Sequence, residues 1–204
     1  MPRKSFLLFA GACLAVAAAL AVVTGVVVSG RRQAEALQPS ATGTAAVGGP
    51  FQLTDQNGRA VDQTLLQGKW SLVFFGFTYC PEYCPSTLAT LAKVQQTLGP
   101  QAPQIVFVTV DPERDTPGAL KDYLSSEGFP QGVIGLTGTP DQVDRAAKAY
   151  RVVYEKVGEG ETYTMNHSLH VYLMGPDGRF RAVVADQLGP DRSVDIIRSA
   201  MRRG

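Results

Sequence analysis

The chemistry in this chain is concentrated in residues 70–85, WSLVFFGFTYCPEYCP, where an apolar run ends in two cysteines, Cys80 and Cys84. Two thiols this close can bond to each other, exchange with other disulfides, or turn both sulfurs toward one ligand. Their C-x3-C spacing is one residue longer than the C-x2-C of redox motifs, and residues four apart share a face in a helical turn. A strand runs into a helix here, so free N–H groups and the positive end of the helix dipole favour thiolate over thiol. A purely structural disulfide is the alternative. Against it, a bridge stabilises mainly by closing long loops, and this loop is short.

The strand is the apolar run that starts at Trp70, rich in β-branched and aromatic residues, which reads as buried on both faces. Pro81 cannot continue a ladder and puts the strand's end near Tyr79. Pro85 suits a first helical turn, and Leu88, Leu91, Ala92, Gln95 and Leu98 follow at helical spacing. Upstream, residues 51–53 and 59–61 flank a DQNG turn and predict a short hairpin. Downstream, residues 104–110 predict a second buried strand. Thr116-Pro117 and Thr139-Pro140 each cap and start a helix, reaching about Ser126 and Tyr150. Residues 155–166 are polar and predict a loop ending at His167. Residues 169–174 and 179–184 predict an antiparallel pair around the turn GPDG. A final helix over 191–202 has Val194, Ile197 and Met201 on one face. This is an α/β order, and reactive cysteines at the end of the first core strand match a thioredoxin-like fold with an N-terminal hairpin.

The 204 residues leave room for one ordinary domain plus extras. A balance of 19 Lys and Arg against 18 Asp and Glu gives no reason to expect nucleic acid as a partner. Residues 5–29 carry no charge, and their apolar run exceeds the roughly 20 residues that span a bilayer. Residues 1–30 are therefore expected to be a single transmembrane anchor. A cleaved signal peptide is the alternative, but its apolar core is only about 7 to 15 residues long. Cys13 lies inside the run and reads as a small hydrophobe facing lipid. Residues 31–47, small and polar, read as a flexible linker, leaving 48–204 as the folded domain.

Six stretches follow one another in a telling order: GGPF at 48–51, GKWSLVFFGFTYCPEYCP, FVTVDPERDTP, IGLTGTP, AYRVVY and HSLHVYLMGPDGRF. Together they resemble the Sco/SenC family of membrane-anchored copper-binding proteins that assist cytochrome c oxidase assembly. The resemblance implies a copper site made by Cys80, Cys84 and His167. Asn166 stands where the family usually has Asp, which leaves ligation intact but puts charged support of the imidazole in doubt. His170 matches no ligand of the family. Two thiolates and an imidazole suit Cu(I) in a three-coordinate site and can still hold Cu(II), whereas zinc wants a fourth ligand or a water. Asp111 could bring a carboxylate near the metal, but its ordinary role as the turn residue opening ERDTP is preferred. Tyr79, Glu82 and Tyr83 surround the cysteines, where tuning the site or meeting a partner is weighed evenly against plain solvation.

The expected function is that of a copper metallochaperone for the binuclear copper centre of cytochrome c oxidase. Its partner is then the copper-bearing subunit, alongside other copper chaperones or thiol reductants. The alternative is a thiol-disulfide reductase, with Cys80 and Cys84 as the redox pair, that keeps the oxidase cysteines reduced. A peroxidase is a third reading, since Phe77-Thr78-Tyr79-Cys80 is similar to a peroxidatic turn, but the threonine spacing is wrong for it. His167 separates the first two, because a metal needs a third ligand and dithiol exchange needs only the cysteines. The expected location is the inner membrane, crossed once, with the domain on the periplasmic or extracytoplasmic side. An export-dependent reporter fused after Gly204 is accordingly expected to be active. Activity of a cytoplasm-only reporter there would reverse the assignment.

Overall fold

The structure is a computed structural model and describes residues 47–184 and 186–203. The expected membrane segment, Cys13 and all but the last residue of the expected linker lie outside them. Among the described residues no helix is long and apolar enough to cross a membrane.

A first hairpin pairs β1 (Gln52–Asp55) with β2 (Ala60–Asp62), as expected. Its turn is closed by the Asp55 carboxylate, which accepts from the N–H groups of Asn57 and Arg59, each at 2.9 Å. β3 (Ser71–Gly76) buries all six of its residues, as a central strand covered on both faces must. Next come α1 (Tyr83–Leu98), β4 (Gln104–Thr109), α2 (Pro117–Leu124), β5 (Ile134–Thr137) and α3 (Pro140–Ala149). A separate two-stranded sheet follows, β6 (Tyr154–Val157) with β7 (Thr164–His167). β8 (Val171–Met174), β9 (Phe180–Val184) and α4 (Pro190–Met201) complete the fold.

The main sheet has the order β2-β1-β5-β4-β3-β8-β9. β3, β4 and β5 are parallel, and the other neighbours are antiparallel. The result is the thioredoxin-like α/β arrangement that the chain order predicts. Side chains alternate across the sheet, so Phe74 meets Phe107 edge-on at 5.0 Å while Phe75 meets Tyr150 at 5.4 Å. Burying each such side chain stabilises the fold by about 1.5–3 kcal/mol. Both threonine caps form: Thr116 Oγ accepts from Ala119 N–H, and Thr139 and Gln142 close a reciprocal capping box.

Four expectations are corrected. β5 is absent from the sequence reading because IGLT is too short to show a period; it becomes a strand by filling the backbone positions between β4 and β1. Residues 155–166 are not a plain loop but mostly the β6–β7 hairpin. Its exposed Glu155, Lys156, Thr164 and Asn166 hide the fact that Tyr163 and Met165 are buried beneath it. β3 ends at Gly76, short of Tyr79, and β8 begins at Val171, so His170 precedes it.

Candidate metal centre

β3 and β4 stop at the same level, where Val110 N–H donates to Gly76 O at 2.8 Å, and the chain beyond them builds the site. After Gly76 a tight turn brings Cys80 N–H back to Phe77 O at 3.2 Å. The turn is held from below by Asp115, which is fully buried. Its carboxylate accepts from Thr78 N–H at 3.0 Å, from Thr78 Oγ at 2.5 Å and from Thr109 Oγ at 2.6 Å. Burial pushes the Asp115 carboxyl up, and these three donors pull against it.

Cys80 sits before α1 and Cys84 is its second residue, so the two are not on one helical turn as the spacing suggests. They meet differently. Glu82 offers no side-chain cap to the helix, and Cys84 N–H instead donates to Cys80 Sγ at 3.3 Å. Cys84 is packed against β3 at Gly76, where an added Cβ would fall 2.6 Å from its sulfur and 2.9 Å from the Phe107 ring.

His167 ends β7 opposite Tyr154, and Ser168 N–H donates to Val153 O at 2.9 Å, which secures the hairpin's end. Its Nδ1 lies 3.0 Å from Ser168 O. A carbonyl can only accept, so Nδ1 carries a hydrogen and Nε2 is the ring nitrogen left to face the sulfurs. That Nε2 lies 3.9 Å from Cys84 Sγ. The ring is wedged edge-on between Phe77 at 5.9 Å and Tyr83 at 6.3 Å. The phenol of Tyr83 donates to Leu169 O and accepts from Gln187, each at 3.2 Å. One ligand atom each from Cys80, Cys84 and His167 lies within 4.8 Å of the others. Two sulfurs and one imidazole converging this closely can hold a soft metal ion.

The two thiols share their proton unequally. The Cys84 thiol as donor, then His167 and the N–H groups of Cys84 and Glu82, hold the Cys80 thiol down at about 3 despite its burial. Cys84 is pushed up, first by serving as that donor and then by burial. The pair therefore loses its first proton more readily than an ordinary thiol, with the negative charge favoured at Cys80 and the remaining hydrogen at Cys84. Iodoacetamide is expected to react at Cys80, which is 9% exposed, before Cys84, which is wholly enclosed. The rate should stay flat between about pH 5 and pH 8, because the nucleophile is already a thiolate. A rate climbing toward the ordinary thiol value of 9.0 would overturn that charge distribution.

Asp111 is outside the ligand group and has the turn role, its carbonyl accepting from Arg114 and Asp115 N–H. Its carboxylate has a further duty that the sequence reading missed. It accepts from Tyr163 Oη at 2.7 Å and pairs with Arg114 at 2.5 Å, while Arg114 also donates to Tyr163 O at 3.0 Å. The Arg114 guanidinium lies 3.6 Å above the Tyr163 ring and 4.5 Å from the exposed Tyr79 ring. Burial, followed by the Asp111 carboxylate, pushes the Tyr163 phenol up to about 12. This clamp ties the hairpin that carries His167 to the loop that carries Asp115. His170 stacks on Tyr172 at 5.9 Å, away from the ligand group. Glu82 is exposed.

A family model described as SCO1/SenC matches residues 39–202. The chain belongs to the SCO1/SenC family. Protein SCO1, mitochondrial, of Saccharomyces cerevisiae is 38% identical over 177 residues, which cover 82% of this chain and 59% of the yeast protein. The chain thus spans little more than half the length of that Sco relative. Among solved structures, Bradyrhizobium japonicum ScoI with copper bound is 42% identical, with a TM-score of 0.68 over 75% of this chain and 99% of that one. BsSco, described as having a disulfide switch and as a member of the Sco family of cytochrome c oxidase assembly proteins, is 26% identical. Its TM-score is 0.56, over 74% of this chain and 95% of that one.

Within this Sco fold, Gly76, Asp115 and Tyr163 are the positioning residues that the sequence reading passed over. The signals available were the second Asp of DPERD and the lone glycine inside a bulky strand. Asn166 is exposed on β7, where successive side chains alternate faces, so the His167 imidazole takes its support from Ser168 O instead.

Proposed function

We propose that this chain binds copper through Cys80, Cys84 and His167 and delivers it during cytochrome c oxidase assembly, to the oxidase's copper-bearing subunit. The observation that carries this reading is the His167 imidazole, whose Nε2 converges on the dithiol while Nδ1 is held by Ser168 O. A bare redox pair has no use for a third ligand held in the right tautomer. The Sco neighbour with copper bound supports the same assignment. In this reading residues 1–30 anchor the chain in the membrane, 31–47 are the linker and 48–204 are the copper-binding domain, outside the cytoplasm.

Copper(I) would supply a soft, singly charged ion that thiolates prefer. The chain's own part is to present two sulfurs and a nitrogen with their protons arranged. The negative charge of the pair is favoured at Cys80, so the proton given up on metal binding is the one held at Cys84. Anaerobic titration of the reduced protein is expected to take up one Cu(I) and release about one proton near pH 7. The protein with a Cys80–Cys84 disulfide is expected to take up none, because bridged sulfurs are not thiolates. Equal uptake by both forms would remove the cysteines from the site.

A second reading is favoured by the unequal thiols. The Cys80 thiolate can attack a substrate disulfide, releasing one thiolate, and Cys84 can then resolve the mixed disulfide. The substrate gains two electrons and the Cys80–Cys84 pair loses them, so a thiol reductant must reset it. The two readings are compatible, since copper requires the reduced pair.

A further inference from the structure

The end of the domain opposite the metal centre carries a cationic hollow that the copper chemistry does not use. β3 and β4 begin there, α1 and α4 end there, and an open cavity of about 840 Å³ lies among them. Its walls include Lys69, Trp70, Gln95, Arg198, Met201 and Arg202, and none of the described residues lining it is acidic. Lys69, Arg198 and Arg202 are exposed, while Trp70 and Met201 are half-buried, so cationic heads surround an apolar floor. Charge is uneven along α4: its first half holds Asp191, Arg192 and Asp195, whereas Arg198, Arg202 and Arg203, at or beyond its last turn, are all basic.

The chain also enters the domain at this end. Gly48 N–H donates to Ala149 O at 2.9 Å, and Gly48 lies against Met174, where an added Cβ would fall 2.7 Å from Met174 Cε. Met174 pairs with Ser71, the residue after Trp70. Cys80 follows the other end of the same strand.

We propose that this end of the domain rests on a bilayer surface, with Lys69, Arg198 and Arg202 engaging anionic phospholipid headgroups and Trp70 at the interface. Cys80, Cys84 and His167 then face away from the membrane, toward an incoming partner. This rests on the membrane-anchor reading of residues 1–30. Attachment to an anchor raises the domain's effective concentration at the surface, so a modest attraction is enough. Each Lys or Arg at an anionic surface strengthens attachment about fivefold, and tryptophan favours the headgroup level.

Trp70 is the only tryptophan in the chain and reports on this directly. The full-length protein is placed in nanodiscs of phosphatidylcholine, or of phosphatidylcholine with phosphatidylglycerol, each with the same trace of lipid carrying a nitroxide on its headgroup. Trp70 emission is expected to be quenched strongly in the anionic discs and weakly in the zwitterionic ones, with the difference collapsing at about 1 M salt. The combined substitution Lys69→Glu, Arg198→Glu and Arg202→Glu should abolish the difference while Cu(I) uptake at the far end is retained. Quenching that is equal in both lipids, or unchanged by the triple substitution, overturns the proposal while leaving the anchor intact. A chain that fails to co-purify with discs of either composition overturns the anchor reading, and this proposal with it.

Discussion

Replacing His167 by alanine is expected to weaken Cu(I) binding by well over 100-fold while leaving disulfide reduction by Cys80 and Cys84 in place. Changes one layer out from a metal typically cost about 10- to 100-fold, and His167 supplies one of the three ligand atoms that lie within 4.8 Å of one another among the described residues. The cysteines do not depend on the imidazole for their position, since Cys80 is held by the Phe77 carbonyl and Cys84 by α1 and Gly76. Competition with a chromogenic Cu(I) chelator reads the affinity, and reduction of a small aromatic disulfide reads the thiols. His170→Ala serves as the control, because that ring stacks on Tyr172 and should leave both readouts unchanged. In a cell the two readings diverge further. Loss of oxidase copper with His167→Ala, matching the loss with Cys80→Ala, is the outcome expected of a copper carrier. Normal oxidase assembly with His167→Ala beside failure with Cys80→Ala would make the chain a reductase.

Gly76→Ala is expected to cost about 1–3 kcal/mol of stability and to lower Cu(I) affinity, although it adds a single methyl group far from any exposed surface. The new Cβ would stand 2.6 Å from Cys84 Sγ and 2.9 Å from the Phe107 ring, closer than real contacts allow. Neither neighbour is the free end of a flexible chain. Phe107 is wholly buried on β4, and Cys84 is committed to the first turn of α1, so the helix start must move and carry a ligand with it. Thermal unfolding and the same chelator competition measure the two effects. Gly118→Ala is the companion control: its added Cβ meets only Thr116 Oγ, at 4.0 Å, and alanine suits a helix better than glycine. If Gly76→Ala matched Gly118→Ala in both measurements, the close approach of strand and cysteine would have no part in setting the site.

Much of this molecule is determined locally and can be read from residue order. Pro85 with the leucines after it requires a helix, Thr116-Pro117 and Thr139-Pro140 require helix starts, and an uncharged bulky run before Cys80 requires a buried strand. Each rests on interactions between residues a few positions apart. The motif resemblance likewise picked out Cys80, Cys84 and His167 without any knowledge of distance. What the tertiary structure alone decided is how those groups work together. Thr78 meets Asp115 across 37 positions, Asp111 meets Tyr163 across 52, and Cys84 meets His167 across 83. No local period or cap encodes such pairs, because they exist only once β3 and β4 lie side by side and the β6–β7 hairpin is clamped over their ends. The hairpin itself read as a polar loop because its outward face is polar, and only burial of Tyr163 and Met165 makes it a hairpin. The unequal thiols have the same origin: the spacing places two identical side chains, and it is the folded turn, which makes Cys84 the donor to Cys80 and then encloses Cys84, that favours the negative charge at Cys80.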